Sequence, residues 1–86
     1  MSEKYHPTGR QIAAGRALAG ISQSELAEAA RVSIPTLRRM EASEGPASGM
    51  ANNVTAVMRA LEAVGVIFVP ENGEGPGVRL RKGHQQ

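Results

Sequence analysis

Eighty-six residues with a formal net charge of +2 suit one domain of marginal size, for which a second copy would add useful burial. The absence of cysteine excludes disulfides and thiolate metal sites, and two aromatics, Tyr5 and Phe68, are too few to stack single-stranded bases. No apolar run approaches the ~20 residues of a membrane span and the N-terminus lacks a signal-peptide core, so a cytoplasmic location with no membrane partner is expected. A positive excess of this size fits a nucleic-acid partner without requiring one.

Residues 1–7 are small and polar, end in Pro7 and are expected to be disordered. Thr8 caps a first helix over 9–19, closed by Gly20 at the position that favours a left-handed residue. Ile12, Ala13, Ala17 and Ile21 are its expected buried side. Ser22, with Glu25 three residues on, forms a capping box for a second helix over 23–30, whose Leu26, Ala27 and Ala30 recur at helical spacing. Ser33 caps a third helix over 34–42, with Pro35 in its first turn, where a missing N–H costs nothing, and with Leu37 and Met40 turned inward.

Only Arg31 and Val32 separate the second helix from the third helix's cap. Two helices joined so tightly cross steeply, and the second stands out from the body. This is a helix-turn-helix, shaped to place one helix in a DNA major groove. Residues 43–48 form a loop with Gly45-Pro46. Asn52 or Asn53 is expected to cap a fourth helix reaching Val64, with Val54, Val57, Met58, Leu61 and Val64 at threes and fours.

The tail differs. Val66-Ile67-Phe68-Val69 reads as a strand stopped by Pro70, residues 71–77 as a turn-rich connection, and Val78-Arg79-Leu80-Arg81 as a half-buried strand of period two. A lone hairpin is marginal in water. The expectation is therefore that it pairs with the same hairpin of a second subunit in a two-fold dimer, through Val66, Ile67, Phe68, Val69, Val78 and Leu80. The alternative is a hairpin packed on its own domain. The domain plan is thus a disordered segment 1–7, a DNA-binding domain 8–65, a hairpin 66–82 and a disordered tail 83–86.

The run Ser22-Gln23-Ser24-Glu25-Leu26-Ala27, continuing to Val32-Ser33-Ile34-Pro35-Thr36-Leu37-Arg38-Arg39-Met40-Glu41, resembles the Cro/phage-repressor-type, or Xre-type, helix-turn-helix family over about residues 10–65. The resemblance implies a mainly α, lambda-repressor-like bundle of four or five helices, here with a C-terminal β-hairpin, in which the third helix recognises DNA. It implies that Gln23 meets a phosphate, that Ile34, Pro35, Thr36 and Arg39 face the major groove, and that Arg16 pairs with Glu41. The sequence departs from the family at Arg31, where the turn usually has glycine. Arg31 must accept left-handed strain or adopt another turn.

The residues themselves support graded roles. Arg39, on the outer face of the third helix, can bind guanine through O6 and N7; its alternative is a solvated arginine. Arg38 points about 100° away, toward phosphate or water. Thr36 can reach a phosphate or a thymine methyl, or bond within the Ser33 cap. Ile34 can touch a thymine methyl or cover the helix start. Ser33 is first a cap, with phosphate contact second. Gln23 sits at a helix start that favours anions. Arg79, Arg81 and Lys82 blunt the strand edge, with DNA backbone contact the alternative.

Chemistry is not evident. Asp and Cys are absent, His6 and His84 lie at the ends, and no glycine-rich loop leads from a strand into a helix, so neither catalysis nor a cofactor or metal is expected. The sequence thus points to a repressor that binds double-stranded DNA as a homodimer on a palindromic operator. The alternative is an antitoxin-like protein whose residues 66–86 hold a protein partner. A third possibility is an interaction module that uses no DNA.

Overall fold

The computed structural model describes residues 5–83. Four helices, α1 (Gly9–Ala19), α2 (Gln23–Ala30), α3 (Ile34–Ala42) and α4 (Ala51–Ala63), precede an antiparallel hairpin of β1 (Val66–Val69) and β2 (Gly77–Leu80).

The first three helices begin where side-chain caps begin them. Thr8 accepts from the Gln11 N–H at 3.0 Å while the Gln11 side chain accepts from the Thr8 N–H at 2.8 Å. Ser22 and Glu25 repeat this at 3.0 and 2.8 Å. Ser33 accepts from the Thr36 N–H at 3.1 Å, with Pro35 in the first turn of α3. Each bond satisfies a donor the helix itself cannot pair.

The fourth helix corrects the sequence expectation. Neither Asn52 nor Asn53 caps it. The helix starts earlier because the Met50 carbonyl already accepts from the Asn53 and Val54 N–H groups at 3.0 Å, and Met50 offers no side-chain cap. Val64 is the cap at its other end rather than its last residue.

The two tight joints use left-handed residues. Gly20 has φ 73°, where the absence of a Cβ makes it inexpensive. Arg31 adopts φ 60° and ψ 44° and so accepts the strain, because this conformation lets its N–H and that of Val32 close onto the Glu28 and Ala27 carbonyls at 3.2 and 3.0 Å.

Ile12, Leu26, Leu37, Met40, Val57, Leu61 and Val66 are the large side chains sealed in the core. Ala17, expected inside, is exposed, and the inner surface of α1 is built instead from Gly9, Gln11, Ile12, Gly15 and Ala19. Two glycines set how closely α1 packs. A Cβ on Gly9 would overlap the Met40 carbonyl oxygen and lie 2.6 Å from that of Ser43, so only glycine lets α1 start against the end of α3. A Cβ on Gly15 would stand 3.1 Å from Val66 and 3.5 Å from Leu61, where the hairpin and α4 meet α1.

Order begins before Thr8. Pro7 is fully buried, its carbonyl accepts from the Ala47 N–H at 3.0 Å, and Thr8 bridges to Pro46. Disorder was expected over 1–7; Tyr5 to Pro7 are instead built into the fold, and residues 1–4 lie outside the described residues. The expected tail 83–86 likewise falls outside them, apart from Gly83.

The hairpin pairs Val66 with Leu80 and Phe68 with Val78 on the face turned to the helices, and Ile67 with Arg79 on the other. This corrects the expected dimer surface. Val66 is 1% exposed and Phe68, Val78 and Leu80 pack on the core of their own chain. α1 and α4 supply the apolar surface a lone hairpin needs, so this face is already used. Of the six residues named, Ile67 is the exposed one, at 36%.

Gln11 fixes the hairpin to α1. Its side chain is 4% exposed, and its two N–H groups are shared among the Tyr5 hydroxyl at 2.8 Å, the Gly77 carbonyl at 2.8 Å and the Val69 carbonyl at 3.2 Å.

Two stability outcomes follow from this backbone. Gly9→Ala should cost about 1–3 kcal/mol, the usual penalty of overpacking, because backbone must move to admit the methyl group. Arg31→Gly should gain up to about 1 kcal/mol, since relief of left-handed strain exceeds the extra freedom of glycine in the unfolded chain. Urea unfolding followed by circular dichroism measures both; a neutral Gly9→Ala or a destabilised Arg31→Gly would contradict this packing.

Candidate nucleic-acid interface

α3 presents one face to the core through Leu37 and Met40 and the opposite face to solvent. On the solvent face, Ser33, Pro35, Arg38 and Arg39 are exposed and Thr36 is half-buried. The Ser33 hydroxyl donates to the Thr36 hydroxyl at 2.8 Å, and Arg39 Nη2 donates to the same oxygen at 3.4 Å. The last bond is long and weak. It lays the guanidinium along the start of α3 while leaving most of its donor fork to solvent. Ile34 turns the other way: it is half-buried and packs on the core, covering the start of the helix.

A polar chain ties the three N-terminal helices together. Arg16 of α1 donates from Nε to Glu41 Oε2 at 2.7 Å and from Nη2 to Oε1 at 3.0 Å, the two-pronged geometry that suits guanidinium and carboxylate. Arg16 Nη1 also donates to the Ile21 carbonyl at 3.2 Å. Gln23, the first residue of α2, donates to Glu41 Oε1 at 3.0 Å, and Arg38 Nε donates to Gln23 Oε1 at 3.3 Å. Glu41 is therefore the hub, with its side chain 8% exposed against 24% for Arg16.

The hydrogen bond to Glu41 raises the Arg16 pKa above the usual arginine range, against a smaller opposing effect of burial. A raised cation contributes stability at every pH below its ordinary value. That contribution is lost only as pH rises through the still higher folded value, so no pH dependence from Arg16 is expected in the physiological window.

The sequence treated Gln23 and Arg38 as separate contacts. The structure brings them together at the start of α2, where free N–H groups and the positive dipole end already favour an anion. Ser43 and Ser48 were not singled out. Both hydroxyls donate to the Arg39 carbonyl, at 3.1 and 3.3 Å, and Ser48 N–H donates to Ser43 Oγ at 2.9 Å. They close the last turn of α3. A serine after a helix end was visible in the sequence; the reach of Ser48 across the loop was not. Arg79, Arg81 and Lys82 are exposed at the open end of the hairpin.

Arg16→Ala should destabilise the fold by about 3 kcal/mol, because it leaves a largely buried carboxylate without its cation. Glu41→Gln should cost less, since the amide oxygen still accepts. Thermal unfolding of the two variants checks the order, and the reverse order would show that Glu41 is not the hub.

No curated protein matches the chain. Residues 12–51, from within α1 to the first residue of α4, match the family model described as Helix-turn-helix. The matched segment holds the capped pair α2 and α3, the Arg16–Glu41 bridge and the whole exposed face of α3. The segment 12–51 is a helix-turn-helix of the Xre/Cro type, a family of DNA-binding transcription regulators that are usually not enzymes.

Proposed function

We propose that this protein is a sequence-specific regulator that binds double-stranded DNA as a homodimer on a roughly palindromic operator, on nucleoid DNA in the cytoplasm. Two copies place their α3 helices in successive major grooves, about 34 Å apart. Two α3 helices seated in adjacent major grooves cover the DNA beneath them, and occlusion of a promoter by this footprint makes the protein a repressor. The observation that carries this reading is the open outer face of α3, with Arg39 held along it by one weak bond to Thr36.

Arg39 reads a base edge, with Thr36 and Pro35 beside it in the groove. Ile34, packed on the core, contributes at most its outer methyl to a thymine. Ser33 remains a cap whose hydroxyl lies near the backbone. Gln23 and Arg38 together hold one phosphate: the amide tied to Glu41 is already in place, so little ordering remains to be done on binding. The rival reading, a protein partner held by residues 66–86, is disfavoured because the inner side chains of the hairpin are used by the core.

Gel shifts against genomic fragments and a selected operator test this. Arg39→Ala should relax specificity at one base pair by about 1–3 kcal/mol. Gln23→Ala should weaken binding evenly across sequences and lower the salt slope by about one, because it also frees Arg38 from the phosphate seat. Operator binding unchanged in both variants would refute the docking.

A further inference from the structure

The loop that joins β1 to β2, residues 70–76, takes no part in the interface described above. Glu71, Asn72, Gly73 and Glu74 are all exposed. Two hydrogen bonds nonetheless order them. Glu71 Oε2 accepts from the Gly73 N–H at 2.7 Å. Asn72 Oδ1 accepts from the Glu74 N–H at 3.2 Å. The second carboxylate oxygen, Glu71 Oε1, lies over Gly75, where an added Cβ would stand 3.9 Å from it, so the carboxylate is folded onto the loop. Gly73 has φ 101°, and a Cβ there would meet nothing within 4 Å.

These groups are the parts of an acyl transfer. The Gly73 nitrogen is the nucleophile and the Asn72 side-chain carbonyl the electrophile. Glu71 is a base already within hydrogen-bond reach of the proton to be removed. The Glu74 N–H is a donor on the oxygen where negative charge would gather. Asn72 and Gly73 are neighbours in the chain, so attack closes a five-membered ring without loss of translational freedom. Glycine brings no Cβ to crowd that ring.

We propose that Asn72-Gly73 is a self-modification site, at which the loop converts its own asparagine to an acid. Glu71 takes the Gly73 N–H proton as the nitrogen attacks Asn72 Cγ, and charge gathers on Oδ1. Collapse restores the carbonyl and breaks the Cγ–Nδ2 bond. The proton passes from Glu71 to the departing nitrogen, which leaves as ammonia. Water then opens the cyclic imide. Attack at Cγ gives aspartate; attack at the backbone carbonyl gives isoaspartate, with an extra methylene in the main chain. Nothing is oxidised or reduced. Either product sets a third carboxylate beside Glu71 and Glu74 and lowers the formal net charge of +2 by one.

The other two asparagines are held differently. The N–H groups that follow Asn52 and Asn53, those of Asn53 and Val54, both donate to the Met50 carbonyl at 3.0 Å in the first turn of α4. The helix fixes these nitrogens on a carbonyl, so neither is presented to the side chain before it. They serve as internal controls.

The reaction needs neither DNA nor a partner, so its outcome is separate from the regulator reading. The full chain is kept in warm neutral buffer, sampled over weeks and digested with trypsin for mass spectrometry. The sequence has no aspartate, so every aspartate or isoaspartate found is a product. The peptide 60–79 should turn from amide to acid and become a substrate for an isoaspartate methyltransferase, while the peptide 40–59, with Asn52 and Asn53, should stay amide. Glu71→Gln keeps an acceptor for the Gly73 N–H but cannot take its proton; it should fold with unchanged circular dichroism and convert at least about fivefold more slowly. The chain unfolded in guanidinium, which loses both base and donor, should also convert at least about fivefold more slowly. Asn72→Gln, which would need a larger ring, should release no ammonia. An Asn72 that stays amide, that converts no faster folded than unfolded, or that converts as fast in Glu71→Gln would overturn the proposal.

Discussion

The Glu41 carboxylate lies near the end of α3, almost buried, and three of the four helices of this bundle are oriented by how it is satisfied. Arg16 brings α1 to it and Gln23 brings the start of α2. A carboxylate at this depth must be paired, and removing one partner costs far more than the pair contributes on balance. Its value is therefore orientation more than net stability. By holding α2 and α3 to one another it fixes the angle at which α3 leaves the body, and Arg38 extends the same chain of bonds to the surface through Gln23. The buried hub and the polar surface at the start of α2 are one network, so Gln23 and Arg38 are held in place by the fold itself.

A second constraint comes from close approach of backbone. Gly9 lets α1 start against the carbonyls that end α3, and Gly15 lets the hairpin and α4 settle on its middle. Gln11 then joins the last strand pair to the first helix through the Val69 and Gly77 carbonyls, and takes in Tyr5 through its hydroxyl. In a chain this short the core is small, and these contacts make the hairpin part of the same core as the helix-turn-helix. Val66 is as deeply buried as Leu26 or Leu37. The apolar side chains that a hairpin would otherwise offer to a partner are spent on its own chain, which leaves edge, charge and Ile67 as its outward features.

Local signals in the sequence placed the first three helices well. Thr8, Ser22 and Ser33 each satisfy orphan donors within three residues, and that interaction depends on nothing distant. The strands were legible because alternation and β-branching are local too. Helix α4 was less so: its start at Met50 uses no side-chain cap, and the asparagines two and three residues later drew attention because they are good caps elsewhere. Ala17 misled for a related reason. Alanine fits either face of a helix, and the residue that marks the inner face, Gln11, is polar and gave no apolar signal. At the interface, chemistry suggested Arg39 and Arg38 one by one, but nothing in their spacing showed that Arg38 rests on Gln23 or that Ser48 reaches back to Arg39.

The sequence by itself determined the capped helices of the helix-turn-helix and the two strand segments of the tail, since caps, helical spacing and strand alternation are settled by neighbours within about four residues along the chain. Only the tertiary structure decided what the hairpin packs against, which apolar residues are left to face outward, and that Gln23 joins the expected Arg16–Glu41 pair and carries Arg38. Those outcomes depend on groups up to 25 positions apart competing for the same buried carboxylate, and on strands more than 50 residues from the helix that covers them. Such competition leaves no periodic trace in a linear sequence.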